Sequence, residues 1–495
     1  MQIPTTIINS KIIFVKILFM NLLVGRKKEK EILLDCLQSE QSEMIAVLGR
    51  RRVGKTFLIK QTFTHLDFEF TGILNASKED QLNAFVKKIE QFSGKKIQTK
   101  PKNWLDAFDL LKNYLMKLKR KTKKIIFIDE LPWLDTAKSK FTDALGYFWN
   151  DFALYNNIVL VVCGSSASWM IRNIVKNKGG LHNRITKRIE LNPFTLYETE
   201  MFLKRKSIQL DQYSITQLYM AMGGIPFYLN EIKKGESVAQ NIDRICFSKN
   251  GLLYKEFENL FISLYDNPKT HIQIIKALSS KWKGMSRKEL LKITKLTDGG
   301  AITRVLEELE MSAFITIHYP IDKKKKDALY RVSDNYCVFY LHFINSLNSF
   351  KKGTFINLMP TSKWHTWSGY AFENICFSHI SQIEKKLGIH AIHTEAGSFL
   401  HKGNSTIAGF QIDLLIERAD RIINLCEIKF YDRPYIITND YAQKIKNKIN
   451  GFKQISKTKK TIFPTFISTF GLIENTYSKS IIQNQVALQH LFVED

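Results

Sequence analysis

The stretch MIAVLGRRRVGKTFLIKQTF, residues 44–63, decides how the first third of the chain folds. Its first five residues form a continuous apolar run, of the length expected for a buried parallel strand. Gly49, Arg50, Arg51, Arg52, Val53, Gly54, Lys55 and Thr56 follow, and Phe57 leads into an apolar helix. Together they satisfy G-x-x-x-x-G-K-[ST] in the strand–loop–helix setting that gives the motif its meaning. Its glycines let backbone N–H groups close around phosphates, and the helix N-terminus adds a favourable dipole. Lys55 is then placed to reach the β- and γ-phosphates, and the Thr56 hydroxyl to ligate Mg²⁺. ATP and Mg²⁺ are the cofactors this loop implies.

A phosphate loop needs a second strand that ends in a carboxylate for the metal. Residues 125–130, IIFIDE, supply it after the basic helix end KLKRKTKK. Asp129 is expected to hold Mg²⁺ and Glu130 to polarise the attacking water. A third apolar strand, IVLVVC at 158–163, runs into Gly164, Ser165 and Ser166, which puts the Ser165 hydroxyl near the γ-phosphate or the water. VGRKKEKEILL (24–34), GRRRVGKT, IIFIDELPWL (125–134), VVCGSSASWM (161–170) and LNPFTLYE (191–198) resemble the AAA+-type prokaryotic ATPases related to the STAND NTPases. GGIPFYL (223–229) resembles the G-x-P element of their helical lid. The resemblance covers about residues 21–235. It implies that Gly25 and Arg26 lie beside the adenine. It also implies an arginine acting on the γ-phosphate, Arg184 in the first place and Arg188 as the alternative. An arginine acting in trans would require neighbouring copies, so a homo-oligomer is a further expectation.

Length and charge frame the rest. The chain has 495 residues and 44% hydrophobic content, which excludes a mostly disordered protein. At roughly 100–200 residues per domain, about three domains are expected. Lys plus Arg number 73 against 47 Asp plus Glu, a net charge of +26. That excess points to a polyanionic partner, DNA first, with a lysine-rich compositional bias as the alternative. The six cysteines contain no C-x-x-C pair, which argues against a disulfide framework or a zinc knuckle. KIIFVKILFMNLL at 11–23 is too short for a membrane span, which takes about 20 apolar residues. Met20 reads as the true start, with residues 1–19 a mis-called leader. No later run qualifies as a span, so a cytoplasmic protein without membrane contact is expected.

Downstream, THIQIIKAL (270–278) and SRKELLKIT (286–294) carry helical apolar spacing, and AITRVLEELEMSAF (301–314) opens after a turn in which Thr297 or Asp298 can cap it. Strands FITIHYPI (314–321) and ALYRVS (328–333) then flank Asp322, four lysines and Asp327. Three helices and a basic-tipped hairpin read as a winged helix-turn-helix. Glu307, Glu308 and Glu310 against Arg304 make its third helix a poor reader of bases.

In the last third, WHTWSGYAFENICFSHISQI (364–383) reads as a helix that carries Glu373. GFQIDLLIER (409–418) and IINLCEIK (422–429) read as a hairpin with Asp413 and Glu427 adjacent near one end. Lys429, two residues beyond Glu427, shares its face by the strand period of 2. The carboxylates Asp413 and Glu427, completed by Glu373, can hold divalent ions while Lys429 orients a water for phosphodiester cleavage. The constellation resembles the PD-(D/E)-x-K nuclease superfamily, with Ile412 where the name-giving pattern has Pro. Gln443 and Lys444, on the basic helix that follows, are expected to approach substrate phosphate. His342, His379 and His393 have no ligand-like spacing and read as structural.

The expected fold is α/β. It runs as a P-loop AAA+-type parallel sheet (21–195), a helical lid (196–265), a winged helix-turn-helix (266–350) and an α/β restriction-endonuclease-like domain (360–495). Two functions fit. One is an ATPase acting on DNA, with nucleotide state coupled to the nuclease-like domain. The other is a STAND-like switch whose nuclease-like domain only binds a partner.

Overall fold

The computed structural model describes residues 23–120, 122–136, 138–282, 284–318, 328–345, 347, 353–405 and 407–494. The leader and the lysine-rich hairpin tip expected from the sequence lie outside these residues. The chain divides into two compact units, Met1–Asn192 and Pro193–Asp495.

The first unit is built on five parallel strands: β1 (Glu43–Leu48), β2 (Phe68–Thr71), β3 (Lys124–Asp129), β4 (Ile158–Cys163) and β5 (Lys187–Glu190). Their order across the sheet is β2-β3-β4-β1-β5, so the strand that feeds the phosphate loop lies next to β4, and β3 follows on the other side of β4. β1 and β4 are buried along their whole length, as their unbroken apolar runs require of strands covered on both faces. Helix α1 (Lys55–Thr62) leaves the phosphate loop. Helices α2 (Lys78–Ser93), α3 (Trp104–Met116) and α4 (Phe141–Asp151) are among the others of the unit. Their core is aromatic. Trp104 meets Phe141 edge-to-face at 4.9 Å and Phe85 at 5.5 Å, and Phe85 meets Phe68 at 5.1 Å. Each such ring contributes about 0.5–1.5 kcal/mol of pair energy beyond its area burial.

The second unit opens with helices α5 (Leu196–Arg205) and α6 (Gln212–Met222). Gly223 and Gly224 end α6. Gly223 takes φ 66°, and a Cβ on Gly224 would lie 1.9 Å from the Phe194 carbonyl oxygen, so no larger residue fits there. Beyond three further helices (Pro226–Leu229, Val238–Cys246 and Glu256–Ile262) lie α7 (Lys269–Ser279), β6 (Met285–Ser286), α8 (Arg287–Thr294), α9 (Gly300–Met311), β7 (Ile315–His318) and β8 (Leu329–Val332). β6, β8 and β7 form a small antiparallel sheet in that order. Ser286 and Glu289 close a capping box on α8. α9 has no side-chain cap. Asp298, one of the two residues expected to cap it, pairs instead with the guanidinium of Arg287 at 2.6 Å. Glu308 points inward, 2.8 Å from His271 Nε2.

The segment expected as one helix over 364–383 is two, α10 (Ser362–Ser378) and α11 (Ile380–Leu387), broken at His379. A second five-stranded sheet follows: β9 (Thr394–His401), β10 (Phe410–Arg418), β11 (Ile422–Lys429), β12 (Thr461–Ser468) and β13 (Asn484–Ala487), ordered β13-β12-β11-β10-β9. β9, β10 and β11 are antiparallel neighbours, whereas β11, β12 and β13 run parallel. The crossover from β11 to β12 is helix α12 (Asn439–Ser456). Among the described residues, no helix is long and apolar enough to cross a membrane.

Candidate nucleotide site and carboxylate cleft

Two groups of polar side chains come together, one in each unit. In the first, the backbone of the phosphate loop is held in conformations that favour glycine. Gly49 has φ 141° and Gly54 φ 95°, and a Cβ on Gly49 would lie 2.4 Å from the Leu191 carbonyl oxygen. The Lys55 side chain folds back under this loop, and its ammonium donates to the carbonyls of Gly49 at 2.8 Å and Arg50 at 3.0 Å. Burial holds its pKa below the ordinary lysine value. Thr56 Oγ1 donates to Asp129 Oδ2 at 2.6 Å, which sets both expected Mg²⁺ ligands side by side at the end of β3. The other Asp129 oxygen accepts the Cys163 thiol at 2.6 Å, at the end of β4. Burial, and then the charge of Asp129, push this thiol well above its ordinary range, so Cys163 acts here as a donor and not as a thiolate.

Glu130 takes a left-handed backbone, φ 52°, which turns its side chain across to β4. There its Oε2 accepts from the Ser165 backbone N–H at 2.8 Å and the Ser165 hydroxyl at 2.7 Å. The two residues read separately from sequence are therefore one hydrogen-bonded pair. Gly25 and Arg26 both have positive φ, and Arg26 is buried, with its guanidinium on the Asn192 carbonyl. Arg50 and Val53 are buried, Arg51 and Arg52 half-buried, and Phe57 exposed. Arg184 and Arg188 are both exposed, and Arg188 pairs with Glu190 on its own strand. Neither meets Glu130 or Asp129 within the described contacts of this unit.

The second group lies where α10, β10, β11 and α12 meet. The pairing of Leu414 with Cys426 puts Asp413 across from Glu427, so the two carboxylates share a face. The ladder from β10 to β9 slips by one residue between Ile412 and Leu415, a bulge beside Asp413 of the kind that re-aims a side chain. Asp413 Oδ2 accepts the Ile428 backbone N–H at 3.0 Å. Glu373, Asp413 and Lys429 line one cleft of about 390 Å³ with Tyr370, Gln411 and Lys448. Glu373 is buried 3.6 Å from Arg331, a residue of β8. Burial, then the neighbouring Asp413 charge, push the Glu373 carboxyl up to about 8. The same causes, in the same order, raise Glu427.

Glu427 is engaged from α12. Its Oε2 accepts the Tyr441 hydroxyl at 2.9 Å, and its Oε1 pairs with the Lys448 ammonium. Lys429 sits over the Tyr441 ring, 5.6 Å from its centre. The donor set of hard carboxylate oxygens suits Mg²⁺ or Mn²⁺. Among the described residues, however, no three such side chains are drawn together into a ready metal cluster.

Sequence reasoning missed Arg331, Tyr441 and Lys448. The last two could have been found, because positions 441, 445, 448 and 452 form one helical stripe with Ile445 and Phe452, both buried. Gln443 and Lys444 sit off that stripe and are exposed, Gln443 bonded to Asn447, and neither lines the cleft. His342 and His379 are structural as read, on the carbonyls of Ser279 and Ile375. His393 is exposed instead.

Residues 23–232 match a family described as an ATPase domain predominantly from Archaea. This part of the chain is an archaeal-type P-loop ATPase domain. A relative in Methanocaldococcus jannaschii, the uncharacterized protein MJECL04, is 22% identical over 83% of this chain and 88% of its own length. Among solved structures, the chain is similar to the Walker-type ATPase paby2304 of Pyrococcus abyssi (16% identity, TM-score 0.45, 64% of this chain and 96% of that one). It is also similar to the ORC2 protein of Aeropyrum pernix (15% identity, TM-score 0.42, 69% and 96%). The matched segment of the ATPase domain runs past Asn192 into α5 and α6 of the second unit.

Proposed function

We propose that the protein hydrolyses Mg²⁺-ATP in its ATPase domain and acts on DNA through its second unit, where nucleotide state controls a metal-dependent nuclease site. In this reading Thr56 and Asp129 hold Mg²⁺, Lys55 leaves the loop carbonyls for the β- and γ-phosphates, and Glu130 orients the attacking water. Mg²⁺ there supplies charge neutralisation for the phosphates. Glu130 is held by Ser165, and it would have to leave that residue to orient a water beside bound nucleotide.

The observation that carries the nuclease half is the cleft in which Glu373, Asp413 and Lys429 converge, with Glu427 across the ladder from Asp413. A divalent ion on these carboxylates would supply Lewis-acid chemistry, with Lys429 placed beside it for water or phosphate. The winged-helix reading of α7–α9 with β6–β8 gives this unit a second DNA contact. The net charge of +26 supports a phosphate-backbone partner.

The test is cleavage of plasmid and single-stranded DNA with Mg²⁺ or Mn²⁺, with and without ATP, by the wild type, Asp413→Ala and Lys55→Ala. Cleavage that is lost in Asp413→Ala and altered in Lys55→Ala supports both halves. ATP turnover without cleavage under any condition would overturn the nuclease half and favour the STAND-like switch.

A further inference from the structure

The cleft contains its own counter-charge. Three carboxylates, Glu373, Asp413 and Glu427, are all buried. Three side-chain cations meet them or lie beside them: Arg331 at Glu373, Lys448 at Glu427, and Lys429, which lines the cleft with Asp413. Each carboxylate thus has a cation near it, and Glu427, which lies across the ladder from Asp413, has one oxygen taken by the Lys448 ammonium. Buried carboxylates require such pairing, because each unpaired charge away from water is strongly destabilising. A divalent ion that takes Glu427 as a ligand must compete with that ammonium for the same oxygen.

The three differ in their freedom to move. Arg331 is buried, fixed on β8 with its guanidinium over the Phe377 ring. Lys429 ends β11 and lies against Tyr441. Lys448 is half-buried on the exposed side of its stripe, on a long flexible stem, and lines the open cleft as well as touching Glu427.

We propose that Lys448 is an exchangeable counter-cation: it holds Glu427 in the metal-free protein and yields that carboxylate to the incoming divalent ion. The displaced ammonium stays in the cleft, where a phosphate of the substrate backbone would meet it. Lys448 is thus a positioning residue acting through Glu427. Tyr441 keeps the Glu427 carboxylate oriented during the exchange. This proposal rests on reading the cleft as a divalent-metal site.

The experiment is Mn²⁺ binding to the full chain, followed by electron paramagnetic resonance without nucleotide or DNA. The ion of interest is the one lost in Asp413→Asn. Lys448→Met should bind this ion about ten-fold tighter or more, the effect of removing one competing unit charge. Lys448→Arg, which restores the charge, should return to the wild-type affinity. If Lys448→Met binds Mn²⁺ with equal or weaker affinity while the wild type binds it, the exchange is overturned and the metal site stands. If neither chain has an ion that depends on Asp413, the exchange and the metal site both fall. Lys448 is half-exposed, so its replacement leaves the buried core intact. Circular dichroism identical to wild type checks this.

Discussion

Replacing Glu130 by Gln removes one negative charge and almost no volume. In the structure its Oε2 accepts from two donors of Ser165, at 2.8 and 2.7 Å. Gln keeps a carbonyl oxygen for these donors, so two charge-assisted bonds become two neutral ones. Hydrogen bonds to charged groups are worth about 1.5–3 kcal/mol against about 1 for neutral ones, so the change costs on the order of 1–4 kcal/mol at most. Among the described hydrogen bonds and ion pairs, Glu130 has none to Lys55 or Thr56, and only its charge acts on the Lys55 ammonium. Nucleotide affinity should therefore change by less than about three-fold. Turnover should fall about 10²- to 10⁴-fold, the usual contribution of a positioned base. The assay is paired: fluorescent ATP-analogue binding for affinity, and phosphate release for turnover. Turnover within a factor of two of wild type would refute the assignment of Glu130 to the water, whatever the affinity does.

Lys55→Ala should abolish measurable ATP-analogue binding, since its ammonium is the buried cation under the loop. Gly49→Ala should destabilise the first unit by about 3 kcal/mol or more, because the added Cβ meets the Leu191 carbonyl at 2.4 Å in a left-handed backbone. Differential scanning fluorimetry would read this as a lowered Tm. The His318 imidazole is pushed down to about 4 from the ordinary 6.5, first by burial and then by the Arg331 charge. Its contribution to stability is complete above pH 6.5, falls as the pH drops from 6.5 toward 4, and is lost in full below that. Urea midpoints at pH 7 and pH 5 should therefore differ less in His318→Phe than in wild type.

The strands of the first unit were the most legible part of the sequence, because each candidate residue there sits at the end of an apolar run: Lys55 after β1, Asp129 at the end of β3, Ser165 after β4. Strand ends on one edge of a parallel sheet converge, so linear order predicts meeting in space. What it concealed is pairing between side chains. Nothing in the spacing says that Glu130 takes a left-handed turn onto Ser165, or that Asp129 receives the Cys163 thiol. In the second unit the hairpin was legible from β-branched runs, and so were Asp413, Glu427 and Lys429. Arg331 was not. It lies 42 residues before Glu373 in another sheet, and only tertiary packing brings them within 3.6 Å. The cap misread at Asp298 has a similar cause, since Arg287, eleven residues earlier, outcompetes the helix end.

The ring of Tyr213, on α6, lies parallel to that of Phe430 at 4.9 Å, an interplanar angle of 6°. Phe430 directly follows Lys429 and lines the carboxylate cleft, and α6 belongs to the segment that matches the ATPase family. Both residues are half-buried, and separating the stacked rings would forfeit their van der Waals contact. The pair ties α6 to the end of β11, so a displacement of α6 would have to carry this stack with it or break it, at the residue next to the cleft lysine.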